Sequence, residues 1–95
     1  MNKIKHYIGG KLFDGNSKRS GKVFNPATGE QSSEVLLGTK EDLNLTVEIA
    51  EKAFLSWSKK PPLHRARVMF KFKELIEKNS DELTKIIVNE HGKVY

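Results

Sequence analysis

The residue types that could do chemistry in this chain are few and scattered. Its three histidines, His6, His64 and His91, stand far apart, and none forms a His-x-x-x-His pair. There is no cysteine, which removes a thiol nucleophile, a cysteine-based zinc site and any disulfide. No serine sits in a recognisable nucleophile motif with a histidine and an acid. Gly9-Gly10 and Gly15 do not make a phosphate loop, because no Gly-x-Gly-x-x-Gly or Gly-Lys-Ser/Thr leads from a strand into a helix. The paired carboxylates Glu41-Asp42 and Asp81-Glu82 fall in expected first helical turns, where capping explains them. His64 with Arg65 and Arg67 has the composition of an anion site at a helix start, and equally of a solvated or packed helix face; the second reading is adopted. His91, near a helix end, reads as a cap rather than a base. Phe54 and Trp57, at helical spacing, read as core. No catalytic, cofactor-binding or metal-ligating residue is therefore nominated.

The elements that would position such groups divide the chain into two regimes. Residues 1–38 read as short strands and turns. His6-Tyr7-Ile8, Gly9-Gly10 and Lys11-Leu12-Phe13 spell a hairpin, since a tight turn needs positive φ. Asp14-Gly15-Asn16-Ser17 is a second turn, and Ser17 to Gly21 a polar loop. Val23-Phe24 is a brief strand, Asn25-Pro26-Ala27-Thr28-Gly29-Glu30 a compact turn, and Ser33 to Leu37 the returning strand.

Residues 39–95 read as three helices. Thr39 is the N-cap of the first, with Asp42 completing a capping box. Leu43, Val47, Ala50, Phe54 and Trp57 then mark one amphipathic face, up to a stop at Pro61-Pro62. Pro62 opens the second helix, Leu63 to Asn79. Its apolar residues cover about two-thirds of the circumference, against the roughly 100° stripe of an ordinary surface helix. Leu63, Ala66 and Phe70 form one edge and Val68, Phe72 and Leu75 another, with Met69 and Ile76 between them. Arg67, Lys71, Glu74 and Lys78 share the remaining strip, so this helix needs neighbours on more than one side. Ser80 caps the third helix, Leu83, Ile86 and Ile87 form its apolar face, and His91-Gly92 ends it.

Composition bounds the rest. Ninety-five residues allow one small domain, which without disulfides or metal is marginal unless a partner supports it. No apolar run reaches the length of a membrane span, and the opening Met-Asn-Lys-Ile-Lys-His lacks the apolar stretch of a secretory signal, so a cytoplasmic, non-membrane protein is expected. The net charge of +5 invites a nucleic-acid reading. Acidic residues are interleaved among the lysines, and only Lys18-Arg19 and Arg65-Arg67-Lys71-Lys73 are locally basic, so no nucleic-acid partner is expected.

Several segments together resemble the aldehyde dehydrogenase superfamily. They are Tyr7-Ile8-Gly9-Gly10-Lys11, Asp14-Gly15, Val23-Phe24 leading into Asn25-Pro26-Ala27-Thr28-Gly29-Glu30, the helix Ala50 to Trp57, Pro61-Pro62, Arg65-Ala66-Arg67 and Glu90-His91-Gly92-Lys93. Phe70 to Leu75 and Glu90 to Lys93 are most similar to the CoA-acylating methylmalonate-semialdehyde dehydrogenase branch. The resemblance implies an α+β piece, short N-terminal β-hairpins followed by three helices, forming part of the NAD-binding domain of a larger α/β enzyme. It implies NAD and CoA as cofactors of the parent enzyme, whose cysteine attacks a semialdehyde on the way to an acyl-CoA. It also implies that this chain ends before the family's cofactor loop, catalytic Asn, glutamate base and nucleophile, so no such residue is carried over. Some members hold a monovalent cation partly through carbonyls that would fall at Val23-Phe24; no site is claimed there. The expectation is thus one incomplete domain, inactive alone and without NAD affinity. Its partner would be the remainder of a dehydrogenase chain, or a second copy through the Leu63–Asn79 helix. The alternatives are a scaffold protein that pairs with a dehydrogenase chain, and a small basic nucleic-acid binder.

Overall fold

The computed structural model describes residues 2–95. Five short strands, β1 (Asn2–Ile4), β2 (His6–Ile8), β3 (Lys11–Phe13), β4 (Ser20–Phe24) and β5 (Gln31–Leu36), precede three helices, α1 (Lys40–Trp57), α2 (Pro62–Lys78) and α3 (Ser80–His91). This is the expected order of hairpins and then helices.

The first hairpin pairs His6 with Phe13 and Ile8 with Lys11 across Gly9-Gly10. The second pairs β4 antiparallel with β5, with a bulge between Val23 and Phe24. Two features of this sheet depart from the sequence reading. Ser20 and Gly21, expected in a loop, belong to β4 and pair with Leu36 and Val35. The Ser20 hydroxyl also donates to Glu34 at 3.1 Å, so a polar pair replaces the apolar alternation that would have announced a strand. The strand β1 was not anticipated at all. It pairs in parallel with the distant β5, Asn2 opposite Ser33 and Ile4 opposite Val35, and so gives the sheet order β1-β5-β4. Three residues with one apolar member carry no periodicity, and a pairing between distant segments leaves no local signal.

The turn between β4 and β5 is closed by its own groups. The Asn25 N–H donates to the Glu30 carbonyl at 2.9 Å and the Gly29 N–H to the Asn25 carbonyl at 2.8 Å. The Asn25 side chain accepts from the Ala27 N–H at 2.9 Å, an Asx turn. This turn also meets the far end of the chain. A Cβ on Gly92, which ends α3 at φ +67°, would lie 3.0 Å from Cγ of Pro26.

The helices begin and end largely as their residues dictate. Thr39 and Asp42 close the capping box of α1, and Pro62 is the first residue of α2. The start of α3 differs from expectation, because Ser80 lies inside the helix and Asn79 is the junction residue. Asn79 both ends α2, its side-chain amide donating to the Leu75 carbonyl at 2.7 Å, and accepts the first α3 bond from the Leu83 N–H. The two helices are thus nearly continuous, with no loop in which a capping serine would be needed.

The arrangement is a slab. Its principal extents are 48 × 35 × 15 Å and its radius of gyration is 17.1 Å, against about 13 Å for a compact domain of some hundred residues. No apolar side chain is buried among the described residues. The apolar stripe of α1 lies along the helix as expected, but it faces solvent: Phe54 is 62 % exposed and Trp57, expected in a core, 39 %. The side chains that α1 turns inward are Asp42, Thr46 and Ile49, which sit against the β2–β3 hairpin. Val68, Met69, Phe72, Leu75 and Ile76 of α2 are all exposed, as are Leu83, Ile86 and Ile87 of α3.

At Gly29 φ is +75°, and a Cβ would meet nothing within 4 Å, so only the backbone resists substitution there. Gly29→Val should therefore cost on the order of 1–2 kcal/mol through the left-handed conformation alone. The expected outcome is amide exchange at Asn25 and residue 29 faster by about tenfold. Unchanged protection would show that the turn does not depend on that conformation.

Candidate functional site

The polar groups weighed from the sequence do not converge. His6 lies half-buried in β2, while His64 and His91 are exposed on α2 and α3. Among the described residues no group of three or more His, Asp or Glu could hold a metal ion. Asp81 and Glu82 occupy the first turn of α3, where Asp81 accepts a 3.0 Å hydrogen bond from the Tyr95 hydroxyl. That bond pushes the Tyr95 phenol above its ordinary value. Of the basic group at the start of α2, Arg65 is half-buried with Nε shielded and unpartnered, while His64 and Arg67 are exposed. The Val23 carbonyl accepts from the Ser32 hydroxyl at 3.2 Å.

One polar cluster is well formed, and it centres on Asp42, which is 3 % exposed. A carboxylate so shielded must find donors for its lone pairs. Its Oδ2 accepts from the Thr39 N–H at 3.0 Å, while its own N–H donates to the Thr39 hydroxyl at 3.1 Å. Its Oδ1 accepts from both the N–H and the side-chain amide of Asn16, at 3.1 and 3.0 Å. Capping was legible from Thr39 and Asp42. The reach to Asn16 was not, because nothing in the sequence says which distant turn a cap residue will meet. The approach requires Gly15, at φ +79°: a Cβ there would lie 2.8 Å from Asp42 Oδ2 and 3.2 Å from Nε2 of His6. That His6 nitrogen is shielded and has no hydrogen-bond partner. The Thr39 N–H holds the Asp42 carboxyl below the usual carboxylate range; burial opposes this, while the Asn16 N–H, the Thr39 hydroxyl and His6 reinforce it.

This cluster fastens the second turn to the start of α1. Beside it is a shallow, largely apolar groove lined by Ile8, Gly38, Leu43 and Thr46, in which the Thr39 hydroxyl accepts from the Asp42 N–H and the Thr46 hydroxyl donates to the Asp42 carbonyl. A dinucleotide does not fit the residues present. Pyrophosphate recognition uses free N–H groups at a helix start. At α1 those are covered by an acidic capping box. At α2 the cap and first residue are Pro61 and Pro62, and prolines have no N–H. At α3 the helix follows directly on α2.

A model of the aldehyde dehydrogenase family matches residues 13–95. The chain is 40 % identical over 92 residues to malonate-semialdehyde dehydrogenase 2 of Oceanobacillus iheyensis, covering 97 % of this chain and 19 % of that protein. It is 45 % identical, with the same shares covered, to malonate-semialdehyde dehydrogenase 2 of Bacillus cereus. Among solved structures it is similar to a Sinorhizobium meliloti protein described as a methylmalonate-semialdehyde dehydrogenase and complexed with NAD, at TM-score 0.93 and 41 % identity. It is also similar to the methylmalonate-semialdehyde dehydrogenase of Oceanimonas doudoroffii, at TM-score 0.91 and 44 % identity. Each structural match covers 96 % of this chain and 18 % of the other. The chain thus spans about a fifth of the length of the relatives it matches.

Protonating Asp42 removes the charge that its donors stabilise. With a folded-state pKa below the ordinary one, its contribution is complete above pH about 4 and lost as pH falls through the lowered folded value. Titration from pH 7 downward should move the Asn16 amide resonance and reduce helicity only below about pH 4. Asp42→Asn should abolish that acid transition. Gly15→Ala should displace the Asn16 amide at neutral pH. An acid transition that persists in Asp42→Asn would assign it to another group.

Proposed function

The chain belongs to the aldehyde dehydrogenase family, and from that premise we propose that it supplies N-terminal scaffold to an NAD-dependent semialdehyde dehydrogenase and performs no catalysis alone. The observation that carries this is the fold without a core: family-like backbone at TM-score 0.93, and no buried apolar side chain among the described residues. The reaction assigned to the assembled enzyme is oxidation of malonate or methylmalonate semialdehyde, in keeping with the names of the relatives. NAD is the oxidant, as in the NAD-complexed relative, and CoA the acyl acceptor, in keeping with the resemblance of Phe70–Leu75 and Glu90–Lys93 to the CoA-acylating branch.

In this reading the chain's own residues do mechanical work. The Asp42 cluster fixes the second turn to α1, and the Asn25–Glu30 turn meets the end of α3 through Pro26 and Gly92. Acyl transfer through a thioester needs an activated thiol, and this chain has no cysteine. A nucleic-acid role is disfavoured, since Lys52, Lys71 and Lys73 are each paired with a glutamate on the same helix. No helix among the described residues is long and apolar enough to cross a membrane. The reading includes a cytoplasmic location, in keeping with a composition that is 31 % charged.

The test is a chimera in which these residues replace the matching segment of the Oceanimonas doudoroffii enzyme. NADH formation from methylmalonate semialdehyde with CoA should remain within about tenfold of the parent, a difference of some 1.4 kcal/mol in barrier. The isolated chain should give neither turnover nor heat on titration with NAD. A folded but inactive chimera, or turnover by the isolated chain that survives repurification, would overturn the reading.

A further inference from the structure

We propose that the bond between Asp14 and Gly15 is a modification site, where aspartate converts through a succinimide to isoaspartate, and that this conversion releases the second turn from Asp42. Asp14 is exposed and Gly15 half-buried, and both lie outside every strand and helix. Together with Lys3, Lys5, Ser17 and Lys18 they line an open cleft, so water reaches the bond.

The chemistry needs only the chain and water. The Gly15 nitrogen attacks Cγ of the protonated Asp14 carboxyl, an N–Cγ bond forms, and the displaced hydroxyl leaves as water with the amide proton. Water then opens the ring at one of its two carbonyls. Opening at Cγ restores aspartate. Opening at the backbone carbonyl carbon leaves Gly15 joined through Cγ, frees the Asp14 α-carboxylate, and makes the main chain one methylene longer. Three local features favour closure. Gly15 has no Cβ to obstruct the attack. Its N–H donates to no acceptor among the described residues. The Asp14 carboxylate is held by one exposed ion pair, to Lys5 Nζ at 3.1 Å, and exposed pairs hold weakly.

Other candidates lack this combination. Asn16 precedes Ser17, but its side-chain amide is bound to Asp42 Oδ1 at 3.0 Å. Asn79 precedes Ser80, but its amide is bound to the Leu75 carbonyl at 2.7 Å. Asp42 and Asp81 lie in first helical turns, and a side chain follows each, Leu43 and Glu82. Gly15, in contrast, is required where it stands: φ is +79°, and a Cβ would lie 2.8 Å from Asp42 Oδ2. The residue that lets the turn approach α1 is therefore the one that opens the preceding aspartate to cyclisation. The consequence falls on the next residue, whose N–H reaches Asp42 Oδ1 at 3.1 Å. A methylene added to the main chain before Gly15 displaces the Asn16 N–H from that carboxylate.

The test is timed incubation of the intact chain at neutral pH and physiological temperature. Isoaspartate is read as methyl transfer from labelled S-adenosylmethionine by a protein isoaspartyl methyltransferase, and is located by peptide mapping with electron-transfer fragmentation. Label should rise with time and be severalfold higher at residue 14 than at any other position. In the modified fraction the Asn16 amide resonance should move, while the resonances of α2 stay in place. Asp14→Glu should abolish the rise, because closure there needs a larger ring. No rise, label that persists in Asp14→Glu, or label spread equally to Asn16 or Asn79 would overturn the site. Should Asp14→Glu fail to fold, the mapping of the unaltered chain decides alone. An unmoved Asn16 resonance in the modified fraction would overturn the link to Asp42.

Discussion

Hiding a side chain from water requires atoms on every side of it, and a chain laid out 15 Å deep supplies them on one side only. No two of its described elements enclose an apolar side chain between them. Stable domains are built from at least two packed layers. From that shortage come the exposed stripe of α1, the two-sided exposure of α2 and the half-exposed face of α3. None of these is a defect of the individual helices. Each has the pattern of a helix that packs well, and in this arrangement the second layer is missing.

What order the slab has comes from polar and backbone chemistry instead. Asp42 joins a helix start to a distant turn, Asn25 and Glu30 close the β4–β5 turn, and Asn79 welds α2 to α3. Such devices fix local geometry at a net gain of about 0.5–1.5 kcal/mol per hydrogen bond. They set directions for the elements without burying them. The scaffold role proposed above fits that division of labour, in which the chain's own bonds hold its shape without a hydrophobic core.

The sequence disclosed most of what is local. Gly9-Gly10 marked the first hairpin, the Asn-Pro-Ala-Thr-Gly-Glu run the turn of the second, Thr39 and Asp42 the start of α1, and Pro62 that of α2. What depended on distant partners stayed hidden. The strand β1 exists only because β5 lies beside it, and Asp42 shows nothing of Asn16 in its own neighbourhood. The apolar stripe through Phe54 and Trp57 is present on α1 as the periodicity predicts, but it faces solvent and not a core, because periodicity reports the spacing of apolar residues and not what lies against them. Two of the motifs that carry the resemblance, around Pro26 and Gly92, are distant in sequence and meet in the structure.

The central claim is that this chain adopts its fold while burying very little apolar surface. The heat capacity of unfolding measures that surface directly, because it rises with the apolar area exposed and averages about 12–15 cal/mol/K per residue in self-sufficient domains. Scanning calorimetry of the dilute isolated chain is the most direct test. The account predicts a shallow transition with a heat-capacity change well under half that average. A sharp two-state transition at the full per-residue value would contradict it, since it would require a hydrophobic core that the slab does not contain.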